Sequence, residues 1–115
     1  MTGVAISKAN NTEPQKAGLE KVYRLIRERL EHNDPESSYV AQLAAAGPDA
    51  VLKKIGEEST ELILAAKGAN RLEQIHELAD VVFHLLVWMA QAGIEPKDLE
   101  TELGRRFGKS GLKQK

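Results

Sequence analysis

Cysteine is absent from the 115 residues of this chain, and aromatic residues make up only 4% of them. Without thiols the chain has neither disulfides nor thiolate metal ligands, and an intracellular setting is the simpler interpretation. The apolar residues are mainly leucine, alanine, isoleucine and valine, a mixture that favours helices packed on helices over a β-sandwich. The composition therefore predicts an all-α fold.

A charge excess of one sign and a long apolar run are also missing. The 16 basic residues nearly balance the 17 acidic ones, so no general attraction draws the chain to nucleic acid or to an anionic membrane. No stretch approaches the roughly 20 apolar residues of a membrane span, and Met1 to Thr12 lack the features of a signal peptide. We expect a cytoplasmic protein that binds neither nucleic acid nor membrane.

The length and the 42% hydrophobic content fit one domain with a single modest core. Helical periodicity starts after Ala17 and continues to Phe107. We expect residues 17–107 to form the domain and residues 1–16 and 108–115 to be flexible tails.

Five segments of the domain have helical patterns. The first ends near His32, the second follows a cap at Ser37 or Ser38, the third runs from Pro48 to about Gly68, the fourth from Arg71 to Ala92, and the fifth through Leu99 to Phe107. The fourth is apolar on almost every side after Leu78, which predicts that it is buried. We expect a small bundle of four to five helices, completed by homo-oligomerisation because one thin bundle cannot cover so much apolar surface.

Acidic residues lie beside the predicted core positions of the third and fourth helices. At about 100° per residue, Glu58 and Glu61 share one border of the third helix, with Glu57 next to them. On the fourth helix, Glu77 and Asp80 lie one turn apart among apolar residues. The core stripe predicted for the third helix consists of Ile55, Ser59, Leu62, Ile63 and Ala66.

These acids point to a metal site if the two helices pack antiparallel across the short turn at Gly68 to Asn70. A half-buried carboxylate without a partner is costly, so a cation or hydrogen bonds must compensate it. Mg²⁺ suits several carboxylate oxygens and also binds phosphates. The predicted ligands are Glu58, Glu61, Glu77 and Asp80, and Glu57 is either a further ligand or the base that orients water.

A simpler interpretation is a solvated face whose acids pair with Lys53, Lys54 and Lys67. A solvated face explains the acidic residues of the third helix better than those of the fourth, because the turns after Asp80 are apolar on every side. The spacing of His84 favours a buried, hydrogen-bonded residue over a metal ligand. No Gly-rich phosphate loop, zinc-type histidine pair or serine nucleophile with a partner is present, which leaves attack by water under metal control.

The acidic pattern resembles a known group of enzymes. Glu57-Glu58-x-x-Glu61 followed by Glu77-x-x-Asp80 is similar to the signature of the MazG-type all-α nucleotide pyrophosphohydrolases. A wider set of segments, over about Leu19 to Phe107, resembles the phosphoribosyl-ATP pyrophosphatases of histidine biosynthesis. These segments are Asp34-Pro35-Glu36-Ser37-Ser38-Tyr39-Val40, Leu52-Lys53-Lys54-Ile55-Gly56-Glu57-Glu58, Ala65-Ala66-Lys67 and Glu77-Leu78-Ala79-Asp80-x-x-x-His84-Leu85-Leu86-Val87.

The resemblance implies Mg²⁺-dependent hydrolysis of phosphoribosyl-ATP to phosphoribosyl-AMP and pyrophosphate, by a homodimer. Glu57, Glu58 and Glu61 would then be catalytic, and Lys53, Lys54 and Lys67 would contact the phosphates of the nucleotide. Two alternatives stay open. One is a house-cleaning pyrophosphohydrolase for noncanonical or deoxynucleotides, and the other is a non-catalytic helical module whose acids pair only with lysines and arginines.

Overall fold

A computed structural model of the chain describes residues 16–108. Within that range it contains five α-helices and no strand, which confirms the predicted all-α bundle. The helices are α1 (Leu19–His32), α2 (Tyr39–Ala45), α3 (Pro48–Ala66), α4 (Arg71–Ala92) and α5 (Pro96–Phe107). The predicted tails lie outside the described residues, except for Lys16 and Gly108.

Side-chain and backbone caps set the helix ends close to where the sequence predicts them. The Ser38 hydroxyl accepts a hydrogen bond from the Ala41 amide at 3.2 Å and so caps α2. The Asn70 side chain accepts one from the Glu73 amide at 3.0 Å at the start of α4. Gly93, with φ of 76°, takes the left-handed conformation that ends α4 at Ala92.

The core lies at one end of the molecule, where α1, α2 and the start of α3 pack on the C-terminal half of α4. Its buried residues are Tyr23, Ile26, Val40, Leu43, Val51, Leu86, Val87 and Met89. The other halves of α3 and α4 pack mainly on each other. Apolar side chains there stay open, and Ile63 and Leu72 are 60% and 80% exposed.

The core stripe predicted for α3 is partly wrong. Ile63 and Ala66 are exposed, whereas Val51 and Ala65 are buried. The less exposed positions recur every three or four residues along one side of α3, which we call its seam and which faces mainly α4. They are Ala50, Val51, Lys54, Ile55, Glu58, Ser59, Leu62 and Ala65. Glu58 therefore lies within the seam that faces α4 and not on its border.

The prediction that the second half of α4, from Leu78 to Met89, is buried needs a similar correction. Val81, Leu86, Val87 and Met89 are buried, but Leu78 and Trp88 are 50% and 36% exposed. The first half of the helix, outside that prediction, leaves Leu72 largely open. Among the described residues, no single helix is long and apolar enough to cross a membrane, and the pair α4 and α5, which passes that test jointly, is bent by 108°.

Tyr23 links α1 to the segment between α4 and α5. Its ring is 2% exposed in the core, and its hydroxyl donates a 2.7 Å hydrogen bond to the carbonyl of Ile94, between α4 and α5. We expect Tyr23→Phe to lower the free energy of unfolding by about 1 to 2 kcal/mol, because the part-buried carbonyl loses its donor. Urea denaturation at fixed protein concentration measures this change, and an unchanged midpoint would show that water replaces the hydroxyl without cost.

Candidate active site

The turn between α3 and α4 sets the alignment of the acidic residues. Gln74 on α4 donates hydrogen bonds from Nε2 to the carbonyls of Ala65, at 3.2 Å, and Gly68, at 3.0 Å. These bonds tie the first turns of α4 to the end of α3, so the two helices run antiparallel. In this antiparallel pair, residues later in α4 lie opposite residues earlier in α3. The acidic residues of α4 therefore lie opposite those of α3.

The acids of α3 differ in exposure and partners. The Glu58 side chain is only 15% exposed, whereas that of Glu57 is 50% exposed. The ammonium group of Lys54 lies 3.4 Å from Glu58 Oε2 and 3.6 Å from Glu57 Oε1. Of the three lysines predicted to contact phosphate, Lys54 is therefore placed at the acidic cluster. Lys53 and Lys67 are exposed, and their phosphate contact stays a prediction.

On α4, Glu77 and Asp80 lie together with a residue that the sequence interpretation did not include. Ligand atoms of His76, Glu77 and Asp80 all lie within 4.8 Å of one another. His76 Nε2 is 3.4 Å from Asp80 Oδ2, and the ring is 71% exposed. The spacing of His76 four residues before Asp80 was the available signal, since residues at that distance are neighbours on a helix face.

The electrostatics of Glu77 show that the two acidic sets act on each other. Partial burial, and then the negative charges of Asp80, Glu61 and Glu58, raise the pKa of the Glu77 carboxyl, while His76 opposes the shift. Two of these charges come from α3 and one from α4. The charges of Glu58 and Glu61 thus act on Glu77 across the helix pair, while the group whose ligand atoms lie within 4.8 Å of one another consists of His76, Glu77 and Asp80. Glu57 lies beside Glu58 through their shared contact with Lys54.

The chemistry of this donor set fits Mg²⁺. Burial first, and then the carboxylates of Asp80, Glu61 and Glu58, raise the pKa of Glu77. A hard cation at this cluster would neutralise the negative charge of these acids. Mg²⁺ takes oxygen ligands, so the imidazole of His76 is better suited to pair with Asp80 than to ligate the ion. Glu58, Glu61, Glu77 and Asp80 can supply those oxygens.

The raised pKa of Glu77 predicts how stability responds to pH without metal. An acid whose pKa is higher in the folded state stabilises the fold below its ordinary pKa of about 4.5, and this stabilisation is lost as pH rises through the folded value. Glu77→Gln mimics the protonated acid at all pH values. We expect it to be more stable than wild type at pH 7 in EDTA, with the difference shrinking towards pH 4, as measured by melting temperature.

Glu102 on α5 provides a control, because its pKa is shifted in the opposite direction from that of Glu77. Hydrogen bonds from Arg105 and Arg106 lower its pKa to about 2. Its stabilising effect is present above the ordinary pKa and lost as pH falls. Glu102→Gln should therefore be less stable than wild type at pH 7, with the difference vanishing at low pH. If both variants shift melting in the same direction, the assignment of Glu77 is wrong.

A hydrogen-bonded pair, Tyr39 and His84, borders the cluster. His84 is 5% exposed, its Nδ1 lies 2.7 Å from the backbone carbonyl of Asp80, and its Nε2 lies 2.8 Å from the Tyr39 hydroxyl. Burial is the main cause that raises the pKa of Tyr39. The positive charge of Lys54 lowers this pKa, and the negative charges of Glu58, Asp80 and Glu57 raise it further. His84 is thus a buried, hydrogen-bonded residue, as its spacing predicted.

Tyr39 was missed as a polar residue of the site. The sequence pattern places it at the start of α2 among apolar residues, where a tyrosine is most simply a packing residue. Its ring does pack on Phe83 and His84. The contact between its hydroxyl and His84 joins residues 45 positions apart, which periodicity along one helix does not reveal.

A family model described as phosphoribosyl-ATP pyrophosphohydrolase matches residues 19–107. This chain belongs to that family. The matched residues comprise all five helices and every acid of the cluster. The match confirms the resemblance found in the acidic motif and the enzyme class, a hydrolase.

The relatives of this chain differ in how much of their own length it matches. A phosphoribosyl-ATP pyrophosphatase of Geotalea daltonii is 50% identical over 97 residues, which are 84% of this chain and 91% of that protein. One of Magnetococcus marinus is 54% identical over 95 residues, 82% of this chain but 38% of that protein. A histidine biosynthesis bifunctional protein of Deinococcus radiodurans is 54% identical over 95 residues, 83% of this chain and 43% of that protein. The chain thus spans less than half of the last two relatives.

Proposed function

We propose that this chain hydrolyses phosphoribosyl-ATP to phosphoribosyl-AMP and pyrophosphate, a step of histidine biosynthesis, in the cytoplasm. The observation that carries the proposal is the acidic cluster, in which ligand atoms of Glu77 and Asp80 lie within 4.8 Å of each other on α4 and the charges of Glu58 and Glu61 on α3 act on Glu77. A family of pyrophosphohydrolases provides the reaction class, and relatives named phosphoribosyl-ATP pyrophosphatase support the substrate.

The cofactor that suits this cluster is Mg²⁺, held by Glu58, Glu61, Glu77 and Asp80. When bound, it would neutralise charge on the phosphates and activate water for attack. The side chains themselves supply the ligand oxygens from two helices held in register by Gln74. All four acids lie on α3 and α4, so each is a candidate ligand of the same cation.

Other residues at the cluster would act on water and phosphate. Glu57, half exposed beside Glu58, is placed to accept a proton from the attacking water. Lys54, already between carboxylates, would contact phosphate oxygens, with Lys53 and Lys67 as further candidates. One water is consumed, the bond between the α and β phosphates breaks, and pyrophosphate leaves.

The assay that tests this function follows pyrophosphate release from phosphoribosyl-ATP with Mg²⁺ and with EDTA. We expect release only with Mg²⁺, and a higher kcat/KM for phosphoribosyl-ATP than for any member of a panel of canonical and noncanonical nucleoside triphosphates. Preference for a panel nucleotide would favour a house-cleaning enzyme. No release from any substrate, with no heat on titrating Mg²⁺, would favour a non-catalytic helical module.

We also propose that the active form is a homodimer. A groove between α1 and α4, about 370 Å³ in volume, has an almost wholly apolar lining. Ile75, which lines it, and Leu72 on the same helix are 54% and 80% exposed, more apolar surface than one small protomer normally leaves open. The residues that line the groove are Leu19, Val22, Ile75, Leu78, Ala79, Val82, Phe83 and Leu86.

Sedimentation tests the homodimer. At micromolar concentration we expect about twice the protomer mass of 12.6 kDa. Ile75→Glu should shift the protein to monomer, because it places a charge in the apolar groove, whereas Glu73→Gln on the same helix should not. A wild-type protein of protomer mass at this concentration would refute the dimer.

A further inference from the structure

The N-terminal half of α4 contains a set of metal-ligand groups that lies on this helix alone. Ligand atoms of His76, Glu77 and Asp80 all lie within 4.8 Å of one another, and residues 16–108 contain no other such group of three. His76 and Asp80 are four residues apart, the spacing at which a helix presents two zinc ligands on one face. The set differs from the four acids proposed for Mg²⁺, because it includes a nitrogen donor and needs no residue of α3.

The distance between His76 and Asp80 suits zinc. His76 Nε2 lies 3.4 Å from Asp80 Oδ2. Around a tetrahedral Zn²⁺ with bonds of about 2.1 Å, two ligand atoms lie about 3.4 Å apart. Glu77 can reach the same ion by rotation of its flexible side chain, since its ligand atom is already within 4.8 Å of the other two. The His76 ring is 71% exposed, which leaves room for water as a fourth ligand.

The imidazole of His76 decides which kind of ion this set prefers. Imidazole nitrogen suits Zn²⁺, whereas Mg²⁺ takes oxygen ligands. Of the three histidines in the chain, His84 is buried and both of its ring nitrogens have hydrogen-bond partners. His32 is exposed beside Glu31 on α1 but belongs to no group of three ligands within the described range. His76 is therefore the histidine that is placed to add a nitrogen ligand to the acidic cluster.

We propose that His76, Glu77 and Asp80 form a second cation site, which overlaps the proposed Mg²⁺ site and binds Zn²⁺ through one imidazole nitrogen and two carboxylates. Glu77 and Asp80 belong to both ligand sets, so Zn²⁺ bound on α4 excludes Mg²⁺ from the cluster. This competition rests on the proposed function and its Mg²⁺ site. Zn²⁺ binding itself does not, because its ligands are complete without α3.

Calorimetry on untagged protein measures the affinities for Zn²⁺ and Mg²⁺ separately. His76→Gln keeps a hydrogen-bond donor for Asp80 but removes the imidazole. We expect Zn²⁺ to bind at least about tenfold more weakly, since even the loss of a group that only supports a ligand costs that much. Mg²⁺ affinity should change by less than about twofold, because Mg²⁺ takes oxygen ligands. His32→Gln is the matched control: it removes an exposed histidine 3.6 Å from a carboxylate oxygen of Glu31, and should change neither affinity.

Nitrogen NMR of the imidazole rings tests the ligand directly. Zn²⁺ should shift a ring-nitrogen resonance of His76 and leave those of His32 and His84 in place, and Mg²⁺ should not produce this shift. Unchanged His76 resonances at saturating Zn²⁺ would overturn the proposal. So would equal Zn²⁺ affinities of wild type and His76→Gln, or absence of Zn²⁺ binding to wild type.

Glu58→Gln separates the zinc site from the proposed Mg²⁺ site. Glu58 lies on α3, outside the zinc set, so the ratio of Zn²⁺ affinity to Mg²⁺ affinity should rise in this variant and fall in His76→Gln. A fall in both variants would contradict a ligand set confined to α4. In wild type, excess Mg²⁺ should weaken the apparent Zn²⁺ affinity, and an unchanged affinity would show that the two sites do not overlap.

The failure of the proposed function has a different signature. If wild type binds no Mg²⁺ and releases no pyrophosphate from phosphoribosyl-ATP, the proposed cofactor and substrate are wrong. The Zn²⁺ affinities and the ring-nitrogen resonances still decide the role of His76. A loss of Zn²⁺ affinity in His76→Gln supports the zinc site in that case too, and an unchanged affinity overturns it.

Discussion

Asp80→Asn should lower the rate of pyrophosphate release by at least about a hundredfold, the scale seen when a group that stabilises developing charge is removed. Asparagine keeps the size and one carbonyl oxygen but removes a negative charge from the proposed Mg²⁺ site. Helix propensities of the two residues are close. The hydrogen bond from His84 is to the backbone carbonyl of residue 80, so it should survive the substitution.

Stability should respond in the opposite direction. Without metal, the negative charge of Asp80 acts unfavourably on Glu77, so its loss should leave the melting temperature in EDTA unchanged or slightly raised. Glu73→Gln, an exposed change on the same helix, should affect neither activity nor melting temperature beyond error.

The two interpretations of Asp80 predict opposite results. If Asp80 served only as a structural partner of a basic group, asparagine would destabilise the fold and leave turnover intact. A less stable but fully active Asp80→Asn enzyme would therefore exclude the proposed metal site.

Glu58→Leu should abolish activity and make the fold more stable. The Glu58 side chain is 15% exposed and lies in the seam of α3 that faces α4, where an apolar residue fits the helix packing better. Leucine removes the cost of holding this charge partly out of water and adds apolar contact, and Lys54 keeps its ion pair with Glu57, so we expect a gain of about 1 kcal/mol. For a domain of this size that corresponds to a rise in melting temperature of roughly 4–8 °C. The measurement is thermal unfolding in EDTA at fixed protein concentration.

Glu57→Leu is the matched control for this stability gain. Glu57 is adjacent in sequence but half exposed, outside the seam, so leucine there should bring no comparable rise in melting temperature. Lys54 retains one acidic partner in either variant. If Glu58→Leu destabilises the protein as much as a broken buried ion pair would, then Glu58 holds the fold together and its metal role needs another explanation.

Local patterns in the sequence were sufficient to predict the helices. Ser38, Asn70 and Gly93 cap or end helices through contacts with their immediate neighbours, so their effect is readable from spacing alone. The acidic residues of α3 and α4 were also found from helical spacing, because a short turn leaves two adjacent helices little choice but to pack antiparallel. The family followed from the same residues.

Contacts between segments that are distant in the sequence could not be predicted from these local patterns. The seam position of Glu58 depends on which side of α3 meets α4, and a helical wheel fixes that direction only to within a residue, as the exposed Ile63 shows. The hydrogen bond of Tyr39 to His84 exists because α2 folds back over α4, and packing of whole helices, not spacing along one of them, produces that contact. Exposure of Ile75 likewise depends on helix packing, because the groove that it lines between α1 and α4 stays open within the described protomer.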